Sequence, residues 1–94
     1  MLIENVEDID FSKKLVFEKS QPDQYFIYCD GEEVGTIFGR NYHSNPKNRI
    51  WDVRLEYDSF IEESTEHSLP DAKLSAKTLW KKVVERYKKW KAEM

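Results

Sequence analysis

The chain is short of the residues that usually announce a chemistry. Among its 94 residues it has one cysteine, two histidines, three glycines and three prolines. A lone Cys29 excludes an internal disulfide, so nothing in the sequence calls for an oxidising compartment. Two histidines, His43 and His67, with one cysteine show no paired ligand spacing, which leaves metal sites without support. No apolar run is long enough to span a bilayer, and the acidic opening MLIENVEDID reads as neither a leader nor a membrane segment. Internal repeats, low-complexity tracts and linker-like stretches are also missing, so residues 1–94 read as one domain. We expect a cytoplasmic protein without cofactors.

Aromatics and charge are what the chain does have. Thirteen Phe, Tyr and Trp residues give a short chain a large apolar payload per residue. The net charge of −3 hides an asymmetry. Residues 1–70 hold 7 Lys+Arg against 15 Asp+Glu, and residues 71–94 hold 8 against 3, so an acidic body precedes a basic terminal segment.

The periodicities divide the chain into strands and one helix. KKLVFEK puts Leu15 and Phe17 on one side and Val16 on the other, a strand at about 13–19; residues 1–12 fit a helical turn or an extended arm equally well. QYFIYC (24–29) and VGTIFG (34–39) are rich in β-formers and flank DGEE, a hairpin turn of two or four residues. Simple alternation puts Tyr25, Ile27, Cys29, Val34 and Phe38 on one face and Phe26, Tyr28, Gly35 and Ile37 on the other, with the first face predicted as core. IWDVRLEY (50–57) alternates Trp51, Val53, Leu55 and Tyr57 with Asp52, Arg54 and Glu56, a strand with one wet face. From 69 to 92 a stripe of Ala72, Ala76, Leu79, Val83, Tyr87 and Trp90, widened by Trp80 and Val84, predicts an amphipathic helix. Ser68 and Asp71 supply a capping-box-like start, with Pro70 in the first turn. The expected fold is α+β: an antiparallel meander of three to four strands covered on one face by a long C-terminal amphipathic helix. That order resembles the layout of plant AP2-type domains and of phage integrase arm-binding domains, but the chain carries no motif residues of either.

Gly31, Gly35 and Gly39 are spaced like a glycine-rich phosphate loop. Such a loop needs free backbone N–H groups at a helix start. Here Val34, Thr36, Ile37 and Phe38 want a paired strand and no helix follows, so Gly31 reads as a turn residue and the other two as close cross-strand contacts or a bulge. Cys29 with His43 or His67 could form a nucleophile and base, yet Cys29 sits among strand aromatics and reads better as a small buried hydrophobe. Glu62, Glu63 and Glu66 read as a hydrated acidic linker that complements the helix N-terminus. No set of residues in the sequence supports catalysis, and the chain reads as a non-enzyme.

One candidate surface remains. GRNYHSNPKNR (39–49) holds Arg40, Tyr42, His43, Lys47 and Arg49 and no acid, and reads first as a plain polar connection whose Asn and Pro residues make turns, and second as a phosphate or nucleic-acid contact. With four strands, the helix would run toward this loop and bring Lys88, Lys89 and Lys91 beside it as a basic pole. The first expectation is a small regulator or inhibitor that acts by protein–protein contact, a style that fits a phage or other mobile element. A nucleic-acid-binding module using loop 40–49 and the basic helix is the alternative, and a homodimer is a third option.

Overall fold

The computed structural model describes residues 8–42 and 45–94, and side chains outside 42–48. Five strands form one antiparallel sheet in sequence order: β1 (Val16–Gln21), β2 (Gln24–Cys29), β3 (Glu32–Tyr42), β4 (Asn45–Tyr57) and β5 (Phe60–Glu66). Helix α1 (Leu69–Ala92) crosses one face of the sheet over β4 and β5. The fold is α+β as expected, with one strand more than the sequence pattern gave.

The extra strand is β5. Asp58 and Ser59 both have positive φ, 48° and 80°, and close a two-residue turn that brings Phe60 back opposite Tyr57. Its sequence FIEESTE is rich in Glu, a poor strand former, and the turn lacks glycine, so neither usual signal marks it. The turn between β2 and β3 is easier to read: Asp30 and Gly31, with φ of 52° and 80°, join Cys29 to Glu32 directly. This selects the two-residue turn over the four-residue loop.

A bulge decides which residues of β3 face the core. Gly35 lies opposite Ile27 while Glu33 lies opposite Tyr28, so Val34 is the extra residue. Beyond it the alternation reverses. Val34 and Ile37 are both buried, and Phe38, expected in the core, is 48 % exposed on the opposite face. Gly39 is needed for a close approach. A Cβ there would stand 2.7 Å from Cζ3 of Trp51, whose ring crosses β3 at that point.

The core lies between the sheet and the helix. Tyr25, Ile27, Cys29, Ile37, Trp51, Val53 and Leu55 of the sheet join Ala72, Ala76, Leu79, Trp80 and Val83 of the helix in one cluster. The helix begins as the sequence implies, with Ser68 Oγ accepting from the Asp71 N–H at 3.1 Å. Its predicted stripe is buried as far as Tyr87, whereas Trp90 is 44 % exposed and only leans on Phe60 and Tyr87.

One helix cannot roof five strands. Strands 4.8 Å apart make a sheet roughly 19 Å wide between its edges, against about 10 Å for a helix. Residues 8–15 cover much of the remainder as a strap that turns at Asp10–Lys13, where the Lys13 N–H donates to the Asp10 carbonyl at 3.2 Å; of the segment 1–12, residues 1–7 lie outside the described residues. Ile9, Phe11 and Leu15 pack on the core, and Phe11 makes edge contacts with Tyr57 at 5.1 Å and Tyr87 at 5.8 Å. Lys73 extends from the helix over Tyr25 and Phe17 at 5.2 and 5.7 Å.

Candidate binding surfaces

The predicted basic pole does not assemble. β5 adds one more reversal, so the helix starts beside Trp51, at the end where β3 and β4 run on toward residues 40–49. It then runs away from that end. Lys91 Nζ meets Asp8 at 2.7 Å and Lys88 Nζ lies 5.4 Å from the Phe11 ring, both at the strap end beside Tyr57. Lys88, Lys89 and Lys91 are therefore separated from Arg40 and Arg49 by the length of the sheet.

Segment 39–49 is also no simple loop. β2 pairs with β3 only as far as Gln24–Phe38, and β5 pairs with β4 only as far as Trp51–Glu66. Beyond those points β3 and β4 pair only with each other, to Asn41–Arg49 and Tyr42–Asn45, as a two-stranded ribbon projecting from the sheet. Asp23 anchors its base: its carbonyl accepts from the Gly39 N–H at 2.7 Å and its carboxylate pairs with Arg49. Arg49 also lies over the Trp51 ring at 5.0 Å. The side chains of Tyr42 and Lys47, and His43 altogether, fall outside the described residues.

All four arginines of the chain are engaged by acids. Besides Arg49, Arg40 Nε binds Asp52 at 2.6 Å, Arg54 pairs with Glu56 at 3.4 Å and Glu63 at 3.7 Å, and Arg86 binds Glu62 at 2.5 Å. The acids expected in a hydrated linker thus belong to β5. Glu62 meets the C-terminal half of the helix and does not complement its N-terminus. The guanidinium beside Asp52, followed in weight by burial acting the other way, leaves that carboxyl below its usual range.

The strap end is held by Asp8. Its carboxylate accepts from Lys91, from Tyr87 at 2.5 Å and from Tyr57 at 3.3 Å. The Lys91 hydrogen bond, then that from Tyr87, lowers the Asp8 pKa below the ordinary 3.8. Cys29 is fully buried beneath the strap, with its sulfur placed to donate to the Asp10 and Lys13 carbonyls at 3.6 and 3.5 Å. Burial, and next the negative charge of Asp30, pushes this thiol up and away from nucleophilic character. Near the same end Asp8, Glu32, Glu33, Glu56, Asp58 and Arg54 line an open cleft of about 770 Å³. No group of three potential metal ligands occurs among the described residues.

The uncovered face of the sheet was only partly legible. Phe26 and Tyr28 are half-buried there, joined by exposed Val16 opposite Tyr28 and by Phe38, which neighbours Phe26 diagonally across the Gln24–Phe38 and Phe26–Thr36 pairs. Beside Phe38 runs a groove of about 510 Å³ lined by Thr36, Asp52, Arg54, Glu63 and Thr65. The alternating aromatics of β2 foretold the first two residues. Phe38 was hidden by the bulge, and Arg54 became part of the groove only once β5 supplied Glu63.

No family model matches the chain, and neither a curated protein nor a solved structure matches it. Among the described residues no helix is long and apolar enough to cross a membrane.

Proposed function

We propose that this chain is a small non-enzymatic binding protein, a regulator or inhibitor that acts by protein–protein contact, with the uncovered sheet face as its contact surface. The observation that carries this reading is the Val16, Tyr28, Phe26 and Phe38 row, set beside a groove whose charges are already paired. Aromatic and arginine side chains dominate the energetic centres of protein interfaces. Strand pairing fixes these residues in place, so little ordering is required when a partner arrives. Ion pairs such as Arg54–Glu63 keep the groove from presenting an unpaired charge to a closing interface. A reduced, cytoplasmic setting suits the free buried thiol of Cys29.

Affinity capture from lysate, with and without nuclease, tests the proposal when run beside a Phe38→Asp variant. A partner that persists after nuclease and is lost with Phe38→Asp is the expected result. Capture that vanishes with nuclease, or that ignores Phe38, rejects this surface. Light scattering of the purified chain gives the homodimer its own test, since a doubled mass that Phe38→Asp halves would assign the same face to a second copy.

A further inference from the structure

The arginines and the lysines of α1 fall into two sets. The four arginines are paired with acids, while Lys73, Lys88 and Lys91 lie over aromatic rings or meet Asp8. Lys77, Lys81, Lys82 and Lys89 do neither. All four are exposed on α1, and among the described residues none of their side chains has an ion pair or hydrogen bond. Between Asp71 and Glu93 the only acid in the helix is Glu85. At 1.5 Å per residue these lysines extend over about 18 Å of helix, on the side away from the sheet.

We infer that the outer face of α1 is a sequence-independent contact for the phosphate backbone of a nucleic acid, on the opposite side of the molecule from the proposed protein-binding face. Chemistry favours phosphate over an acidic protein as the occupant. Lysine is depleted from protein interfaces, which need apolar or aromatic anchors, and the large apolar residues exposed on the helix, Leu74 and Trp90, lie at the two ends of this row and not within it. For phosphate no anchor is required, since each ammonium acts as a point charge that displaces condensed counterions. An 18 Å length of duplex presents about ten phosphates, enough to engage four lysines from one side.

The overall charge of −3 does not forbid this contact. The acids Glu18, Asp52, Glu56 and Glu63 belong to the sheet, and a helix layer of about 10 Å stands between them and the outer lysines. Screening has a length of about 8 Å at physiological salt, so a nearby phosphate senses the lysines first. The field of the acidic side reaches through only at low salt, where the Debye length grows to about 30 Å.

Fluorescence anisotropy of a labelled 20-base-pair duplex, titrated with the full chain across a salt series, tests the inference. Four lysine contacts predict log K falling with log salt at a slope of about −3.6. The combined Lys77→Gln, Lys81→Gln, Lys82→Gln and Lys89→Gln variant, whose helix is checked by circular dichroism because glutamine is also a good helix former, should bind at least tenfold more weakly. Arg40→Gln with Arg49→Gln should bind as wild type does. The inference is overturned by an unchanged anisotropy across the whole salt series, by equal binding of the lysine variant, or by loss of binding in the arginine variant alone. Labelled polyglutamate supplies the other arm: binding it in preference to the duplex would assign the face to an acidic protein and reject the nucleic acid.

Discussion

Ile37 and Phe38 are neighbours on β3, yet one is fully buried and the other is 48 % exposed. The same contrast runs across the sheet. On the covered face Ile27, Val53 and Leu55 meet the helix, while on the uncovered face Phe26, Arg54 and Phe38 meet solvent, ion pairs or a shallow groove. The covered side is apolar throughout, with aliphatic and aromatic residues together (Ile27, Val53 and Leu55 beside Tyr25, Trp51 and Trp80), and is closed by a helix and a strap. The other side mixes aromatics with charges, and among the described residues no element is laid over it. Burial on the first side stabilises the fold; side chains on the second add little to stability and are available for contact.

The strongest way to break this contrast is to put a charge on the covered side. Val83 is fully buried, and Val83→Asp should abolish cooperative unfolding near neutral pH, because the carboxylate has no partner there. Val83→Ala should cost about 1–3 kcal/mol in a urea titration through lost transfer energy and the cavity left behind. A Val83→Asp protein as stable as wild type would refute the packing of α1 on the sheet.

A smaller and opposite change should come from the turn that created β5. Ser59 holds a φ of 80°, a region that costs a non-glycine residue about 1 kcal/mol. Ser59→Gly should therefore stabilise the chain or leave it unchanged, although glycine also raises the entropy of the unfolded state. A loss beyond about 1 kcal/mol would mean that β4 and β5 are not joined by this turn.

The strap on the covered side and the Arg40–Asp52 pair on the other both carry a pH dependence. Asp8, Asp10 and Asp52 all titrate below the ordinary 3.8 in the folded chain. Their contribution is complete above pH 3.8 and is lost as pH falls through the lower folded values. Asp8→Asn should lower the Tm by a few degrees at pH 7, and the gap should close as pH falls through the lowered folded value and Asp8 of the wild type takes up its proton. A gap that persisted in strong acid would mean that Asp8 acts through packing and not through its charge. The smallest effect belongs to the uncovered side: Phe38→Ser should shift stability by no more than about 0.5 kcal/mol.

These elements differ in how plainly the sequence announced them. The helix was legible at both ends because its stripe, its cap and Pro70 agree, and β4 because its alternation is strict. β5 was not, since it packs Glu62 and Ser64 toward a helix that supplies Arg86 and Ser75, partners that local pattern cannot see. That single omission reversed the direction of α1 and so misplaced the basic pole. The reversal of faces on β3 was hidden for another reason. A bulge depends on pairing with β2, and the spacing of Val34, Ile37 and Phe38 fits either parity until that pairing is known.

Hydroxyl-radical footprinting of the chain, free and bound to a captured partner, tests the use of the uncovered face most directly, because aromatic rings report their own exposure. Phe26, Tyr28 and Phe38 should become protected in the complex while Trp90, exposed at the end of the helix, is labelled as before. Protection of Trp90 with Phe38 still fully labelled would contradict the use of this face.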